Sequence, residues 1–222
     1  MRAAVVLASL LLVSPGVSRG AATPSLVADV NRSEGWGSGV DHLLVLGDRV
    51  LFAGRDRAHG WELWTTDGTA AGTRMVRDLR PGPESSRAFF YPGWTIGSLL
   101  LFLADDGEHG YEPWRSDGTE RGTYPIGRTA GRRLGPGTTD QFATVGRWAY
   151  FPGDDGEHGV ELWRTDGTVA GTRLVTDLVP GPAGSNPAWL APAGDALFFV
   201  ATDENHGAEP WQTDGTTRGT TL

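Results

Sequence analysis

Three observations predict an all-β repeat fold for this chain of 222 residues. A ten-position signature, Asp-x-x-His-Gly-x-Glu-x-Trp-x-x-Asp-Gly-Thr-x-x-Gly-Thr, is written out four times, over 56–73, 106–123, 155–172 and 203–220. Its second Asp falls at Asp67, Asp117, Asp166 and Asp214, so the period is 50, then 49, then 48 residues. The remaining sequence consists largely of short apolar runs closed by Gly or Asp, without useful helical periodicity. A period of this size means one supersecondary unit repeated and stacked.

The elements of one unit follow in order. His42 to Leu46 is a short apolar run, Gly47-Asp48 a turn, and Val50 to Ala53 a second run. A polar loop from Arg55 to Gly60 carries the first Asp and the His of the signature. Trp61 to Thr65 forms a third strand, Asp67-Gly68-Thr69 a tight turn, and Thr73 to Leu79 a fourth strand. These are strand-and-hairpin signals. Four such strands with their turns make the size of one β-propeller blade. The predicted architecture is four repeated four-stranded antiparallel blades, as a closed four-blade ring or as a fragment of a larger propeller. The four units run over 25–73, 74–123, 124–172 and 173–220 and form one domain.

Between units a second segment recurs. Asp78 to Ser86, with Pro81-Gly82-Pro83 at its centre, returns as Asp177 to Ser185, with Pro180-Gly181-Pro182. Two Pro around a Gly cannot continue a sheet ladder, so here the chain crosses from the outer strand of one blade to the inner strand of the next. The third unit departs from this, with a basic stretch from Arg128 to Gly137. At the ends, Ser25 to Val30 matches Arg173 to Leu178, the last strand of a unit, while the fourth unit reaches only Thr221-Leu222. The spare N-terminal strand is expected to complete the last sheet if the ring closes.

Composition narrows the function classes. Residues 1–22 read as a signal peptide: Arg2, an apolar run from Ala3 to Val13, then Ser14-Pro15-Gly16 and small residues at Gly20 to Ala22. Export to the periplasm, the cell surface or the medium follows. After cleavage no stretch is apolar enough to insert in a membrane. The chain has no Cys, so it has neither a disulfide framework nor a thiolate metal site. All basic residues are Arg, and the net charge of −8 makes nucleic acid a poor partner.

Glu161-Leu162-Trp163-Arg164-Thr165-Asp166-Gly167-Thr168 above all resembles the bacterial ELWxxDGT repeat family, also labelled hyalin-like. The likeness covers the chain from about Ser25 to Leu222. Pro113 and Pro210 stand where the motif has Leu, while Glu112, Trp114, Glu209 and Trp211 keep it. The resemblance implies an exported β-propeller-type protein, commonly of more than four units, and carries no established catalytic activity.

The repeated residues have structural readings beside functional ones. Trp64, Trp114, Trp163 and Trp211 recur at one strand position and are expected to pack between neighbouring sheets. Trp94 and Trp189, just after the Pro-Gly links, are better candidates for exposed contact. Asp67, Asp117, Asp166 and Asp214 are expected to accept backbone N–H groups within their turns. Asp105, Asp106 and Glu108 in the second unit, and Asp154, Asp155 and Glu157 in the third, could wrap Ca²⁺, which takes six to eight oxygen ligands. The structural alternative is a hairpin whose Asp caps N–H groups while His and Glu, three apart, bond across the bend. One His and one Glu per unit cannot supply the three converging ligands of a catalytic zinc. No serine elbow, phosphate loop or singular carboxylate pair is present, and no catalytic residue is assigned. The expected function is therefore noncatalytic binding or structure, toward a protein or glycan ligand. The alternatives are a glycan-processing propeller enzyme and a calcium-stabilised assembly module.

Overall fold

The computed structural model describes residues 25–30, 37, 39–127 and 142–222. The expected signal peptide, Trp36 and the basic stretch of the third unit lie outside them. Among the described residues there is no helix, and fifteen strands form four separate antiparallel sheets in chain order. The first sheet holds β1 (Asp41–Leu46), β2 (Arg49–Asp56), β3 (Gly60–Thr66) and β4 (Arg74–Arg77). The second holds β5 (Thr95–Ile96), β6 (Leu99–Asp105), β7 (Tyr111–Ser116) and β8 (Tyr124–Pro125). The third holds β9 (Ala143–Val145), β10 (Trp148–Gly153), β11 (Glu161–Thr165) and β12 (Arg173–Thr176). The fourth is three-stranded, with β13 (Ala188–Ala193), β14 (Ala196–Asp203) and β15 (Gly207–Thr213).

Each period is thus one up-and-down sheet, as the hairpin signals predict. One boundary differs. Half of the loop expected from Arg55 to Gly60 is ladder, because Arg55 pairs with Trp61 and Asp56 with Gly60. Only Arg57 to His59 turn, held by the Asp56 carboxylate. The ends also differ from expectation. Ser25 to Val30 forms no strand, and the outer neighbour of β15 is Thr221, bridged to Gln212 in both directions at 2.9 Å. A short bridge from the chain's own last residues holds the place foreseen for the spare strand.

Strands β2, β3 and β6 carry unbroken buried runs, since both faces of their sheets are covered, whereas β14 alternates between buried and more exposed positions. One core cluster joins Leu51, Leu63 and Val76 of the first sheet to Leu100–Leu103 of the second and to Ala149 and Phe151 of the third. A second joins Tyr150, Leu162 and Val175 of the third to Leu197 and Phe199 of the fourth. In every unit a Phe lies directly opposite the signature Trp: Phe52 and Trp64, Phe102 and Trp114, Phe151 and Trp163, Phe199 and Trp211. The first two ring pairs lie 6.4 and 6.2 Å apart. This face of each later unit looks toward the unit before it. Trp114 receives Arg77 of the first sheet over its ring, Trp163 packs on the first cluster, and Trp211 packs on the second.

The opposite face of each sheet takes the Asp-Gly-Thr turn of the next unit. A methyl at Gly118 would lie 3.7 Å from Leu51 and 3.8 Å from Thr65. One at Gly167 would lie 2.8 Å from Leu99, and one at Gly215 would strike the Tyr150 hydroxyl beside Arg164. Hydrogen bonds reinforce the joints. Arg77 Nη1 donates to the Thr123 carbonyl at 2.8 Å, Arg115 Nη1 to the Gly167 carbonyl at 3.3 Å, and Thr217 Oγ1 to the Val175 carbonyl at 2.8 Å. The array is polar: each sheet presents a turn backward and an apolar face forward.

Candidate functional site

The Asp-x-x-His-Gly-x-Glu hairpin is the recurrent cluster of titratable groups, and its parts divide between two tasks. Asp56 Oδ1 accepts the backbone N–H of Ala58 at 2.9 Å and of His59 at 2.7 Å. Asp106, Asp155 and Asp203 hold the same two backbone positions in their own hairpins. In all four units the His Nδ1 lies 2.7–2.9 Å from Oδ2 of that carboxylate. The hydrogen bond to Asp56 raises the pKa of His59, and Asp155 does the same for His158. The bond from His206 holds Asp203 below the usual carboxylate range. Burial pushes Asp106 up, but its bonds from His109 and from the backbone outweigh that and leave it lowered.

In every unit the His pairs with the Asp, and in the first and third units the Glu expected to meet it faces the other way. Glu62 is fully buried; its Oε2 accepts the N–H of Leu79 and its Oε1 that of Ser86, each at 3.0 Å. Glu161, equally buried, accepts the N–H of Val179 at 3.1 Å, the N–H of Ser185 at 2.9 Å and the Ser185 hydroxyl at 2.5 Å. These donors belong to the two Pro-Gly links. The same links continue into the next sheet, where Asp105 N–H donates to the Ser86 carbonyl and Thr202 N–H to that of Ser185. One carboxylate so clamps the crossover from blade to blade. Removal from water pushes Glu62 up to about 7 despite its N–H donors, and burial raises Glu161 as well.

The Asp-Gly-Thr turns behave as expected. The Oδ1 of Asp67, Asp117, Asp166 and Asp214 each accepts the N–H and the hydroxyl of the Thr two residues on. The second Gly is required by space, since a methyl at Gly72, Gly122, Gly171 or Gly219 would fall inside that carboxylate. The hydroxyl bonds from Thr69, Thr168 and Thr216 hold Asp67, Asp166 and Asp214 below the usual carboxylate range.

The two carboxylate sets foreseen for calcium do not converge. Asp105 Oδ1 caps Gly107 at 2.7 Å while its Oδ2 pairs with Arg80 at 2.9 Å, and Asp154 Oδ1 caps Gly156 at 2.8 Å. Glu108 and Glu157 are exposed. Asp106 instead lies with His109 and Glu112, one ligand atom of each within 4.8 Å of the others, the only such group among the described residues. Of the two aromatic candidates, Trp189 is 68% exposed and Trp94 only 4%. Trp94 is buried because it opens the inner strand of the second sheet, edge-on to Phe142 of the third unit at 5.0 Å.

Sequence reasoning missed the clamp. A signal for it exists: Glu62 stands between Trp61 and Leu63 in a strand and alternates with the buried Trp64, so it needs buried donors. The recurrent link is the other repeated segment able to supply them.

No family model matches the chain, and no curated protein matches it. Among solved structures the chain is similar to puromycin hydrolase. One crystal structure matches with a TM-score of 0.52 and 22% identity over 82% of this chain. A second, of a mutant, matches at 0.50 and 19% over 79%. A putative TolB from Agrobacterium tumefaciens matches at 0.42 and 16%, over 79% of this chain and 60% of that one. The chain spans 27% of the length of the puromycin hydrolases it matches. At these identities the likeness to the hydrolases is one of fold, an all-β array of antiparallel sheets.

Proposed function

We propose that this chain is an exported, noncatalytic recognition or adhesion module of the ELWxxDGT repeat type, its sheets being blades of a β-propeller. One observation carries the reading. The buried carboxylates among the described residues, Glu62, Glu112 and Glu161, are three copies of one signature position. Glu62 and Glu161 clamp the chain's own links. An active site brings unlike groups together once, whereas these carboxylates recur with the period of the scaffold. Binding then falls to residues that do not repeat. Trp189 is the leading one, an indole held in the left-handed region at φ 56° on inner strand β13, suited to stacking on a sugar face or an apolar side chain. A glycan and polysaccharide array, probed with wild type and Trp189→Ala, tests this. Expected is binding of one glycan class, weakened about tenfold or more by the substitution. Steady release of new reducing ends from any bound glycan would replace the reading with the glycan-processing one.

The calcium-stabilised alternative rests on the Asp106–His109–Glu112 group, whose nitrogen ligand suits zinc or a similar ion better than calcium. Melting with chelator, then with Ca²⁺ or Zn²⁺ restored, separates the cases. A fall on chelation that Ca²⁺ alone reverses supports calcium, and an unchanged melt removes a stabilising metal.

A further inference from the structure

We infer that the side chain standing before each Asp-Gly pair keeps that pair from cyclising to a succinimide and on to isoaspartate, a modification that reroutes the main chain. The inference concerns the chemical durability of the repeats and stands apart from the ligand proposed above.

The hazard comes from the turns themselves. Asp is followed by Gly six times, at Asp67, Asp106, Asp117, Asp155, Asp166 and Asp214. In every pair the Gly lies in the left-handed region, at φ 83–89°, where a side chain would be strained. The turn therefore demands the residue that shields its own nitrogen least. In the reaction that nitrogen attacks the Asp carboxyl carbon. The new N–Cγ bond closes a five-membered ring, and the nitrogen's proton leaves with the carboxyl hydroxyl as water. Water then reopens the ring at the Asp main-chain carbonyl, breaking its bond to the Gly nitrogen, and the chain continues through the Asp side chain.

The structure opposes this at both reacting atoms. In all six pairs the Gly N–H donates to a side-chain oxygen of the residue just before the Asp, at 2.7–3.0 Å. These acceptors are Thr66, Asp105, Ser116, Asp154, Thr165 and Thr213. In all six the Asp Oδ1 accepts the N–H of the second residue after it, at 2.8–3.0 Å. That bond tethers the carboxyl one residue beyond the nitrogen that would attack it. The Thr hydroxyl bonds that hold Asp67, Asp166 and Asp214 below the usual carboxylate range add to this, since only the protonated acid can lose water.

The acceptor goes with the Gly. Thr, Ser and Asp differ in shape and charge, so the property common to the preceding position is its oxygen. In the first hairpin the signature Asp is followed by Arg57, and the position before it is Arg55, which offers no acceptor.

Ser116→Ala and Asp154→Ala, made separately in the whole chain, test this, with Ser116→Thr as the variant that keeps the hydroxyl. Each protein is held folded at mildly acidic pH, digested, and mapped for isoaspartate by isoaspartyl methyltransferase labelling of its peptides. In the wild type all six pairs are expected to convert at least about tenfold more slowly than in the urea-unfolded chain. Loss of the acceptor is expected to raise conversion about tenfold at Asp117 in the first variant and at Asp155 in the second. The other five pairs of the same molecule should stay at the wild-type rate, and Ser116→Thr should match the wild type throughout. A rise spread evenly over all six pairs would report loosened folding and overturn the inference. So would no rise at the pair whose acceptor was removed, or a rise at Asp117 in Ser116→Thr.

Discussion

Glu62 does more for the fold than its place in a charged motif suggests. Both its oxygens accept N–H groups of the link; Ser86 N–H also reaches the Trp61 carbonyl at 3.1 Å, so Glu62→Ala leaves chiefly the Leu79 donor bare and should cost about 2 kcal/mol in chemical denaturation. The same carboxylate makes stability depend on pH. Folded Glu62 ionises near 7, against 4.5 for the ordinary group. Between those values the folded state holds the extra proton, and stability falls as pH rises. His59 and His158, raised by their Asp partners, act in the same direction: their contribution is complete below 6.5 and is lost as pH rises through the folded values. Asp155 and Asp203, lowered, contribute above 3.8 and lose that as pH falls further. The melting temperature should therefore peak at about pH 5 and decline toward both pH 8 and pH 3. A melt that is flat from pH 5 to 8 would contradict the Glu62 assignment. At this scale the sequence showed that Asp56 and its copies cap a hairpin, because a carboxylate two residues before two free N–H groups reads locally. It did not show where Glu62 points, because its partners lie 17 and 24 residues away.

The turn is the element on which the array is jointed, and its geometry makes a quantitative claim. Gly122→Ala places a methyl inside the Asp117 carboxylate and should destabilise by about 2 kcal/mol. Asp117→Ala removes two hydrogen bonds and should cost about 1–2 kcal/mol. Together they should cost less than the sum by about 1 kcal/mol, since the second change makes room for the first. Additive losses in a double-mutant cycle would show that Gly122 is needed for something other than space. The turn itself was plain in Asp-Gly-Thr, whose residues carry their own bonding instructions. That it rests on the preceding unit was not, because the residues it meets, Leu51, Leu99 and Tyr150, differ from joint to joint and leave no repeated mark.

For the whole molecule, the period foretold four sheets because each unit must bury one face against a neighbour. Strands β3, β7 and β11 are paired on both sides, but β15 has only Thr221 beyond it, and Ala208 to Pro210 are exposed. Amide hydrogen exchange should run at least about tenfold faster in β15 than in β7. Uniform protection across the four sheets would mean that the fourth edge is covered in solution.

The unlike joints have a consequence for how such a chain avoids misfolding. Near-identical modules invite a turn to dock on the wrong neighbour, the usual hazard of tandem repeats during synthesis and refolding. Here each seat is differently furnished: alkyl groups of Leu51 and Leu99 at the first two, a phenol and a guanidinium from Tyr150 and Arg164 at the third. The turns differ as well: Thr217 bonds back to the Val175 carbonyl, where the other two seated turns carry exposed Glu120 and Val169. Divergence at the seams, set in otherwise uniform modules, works as an address that tells each module which one it follows.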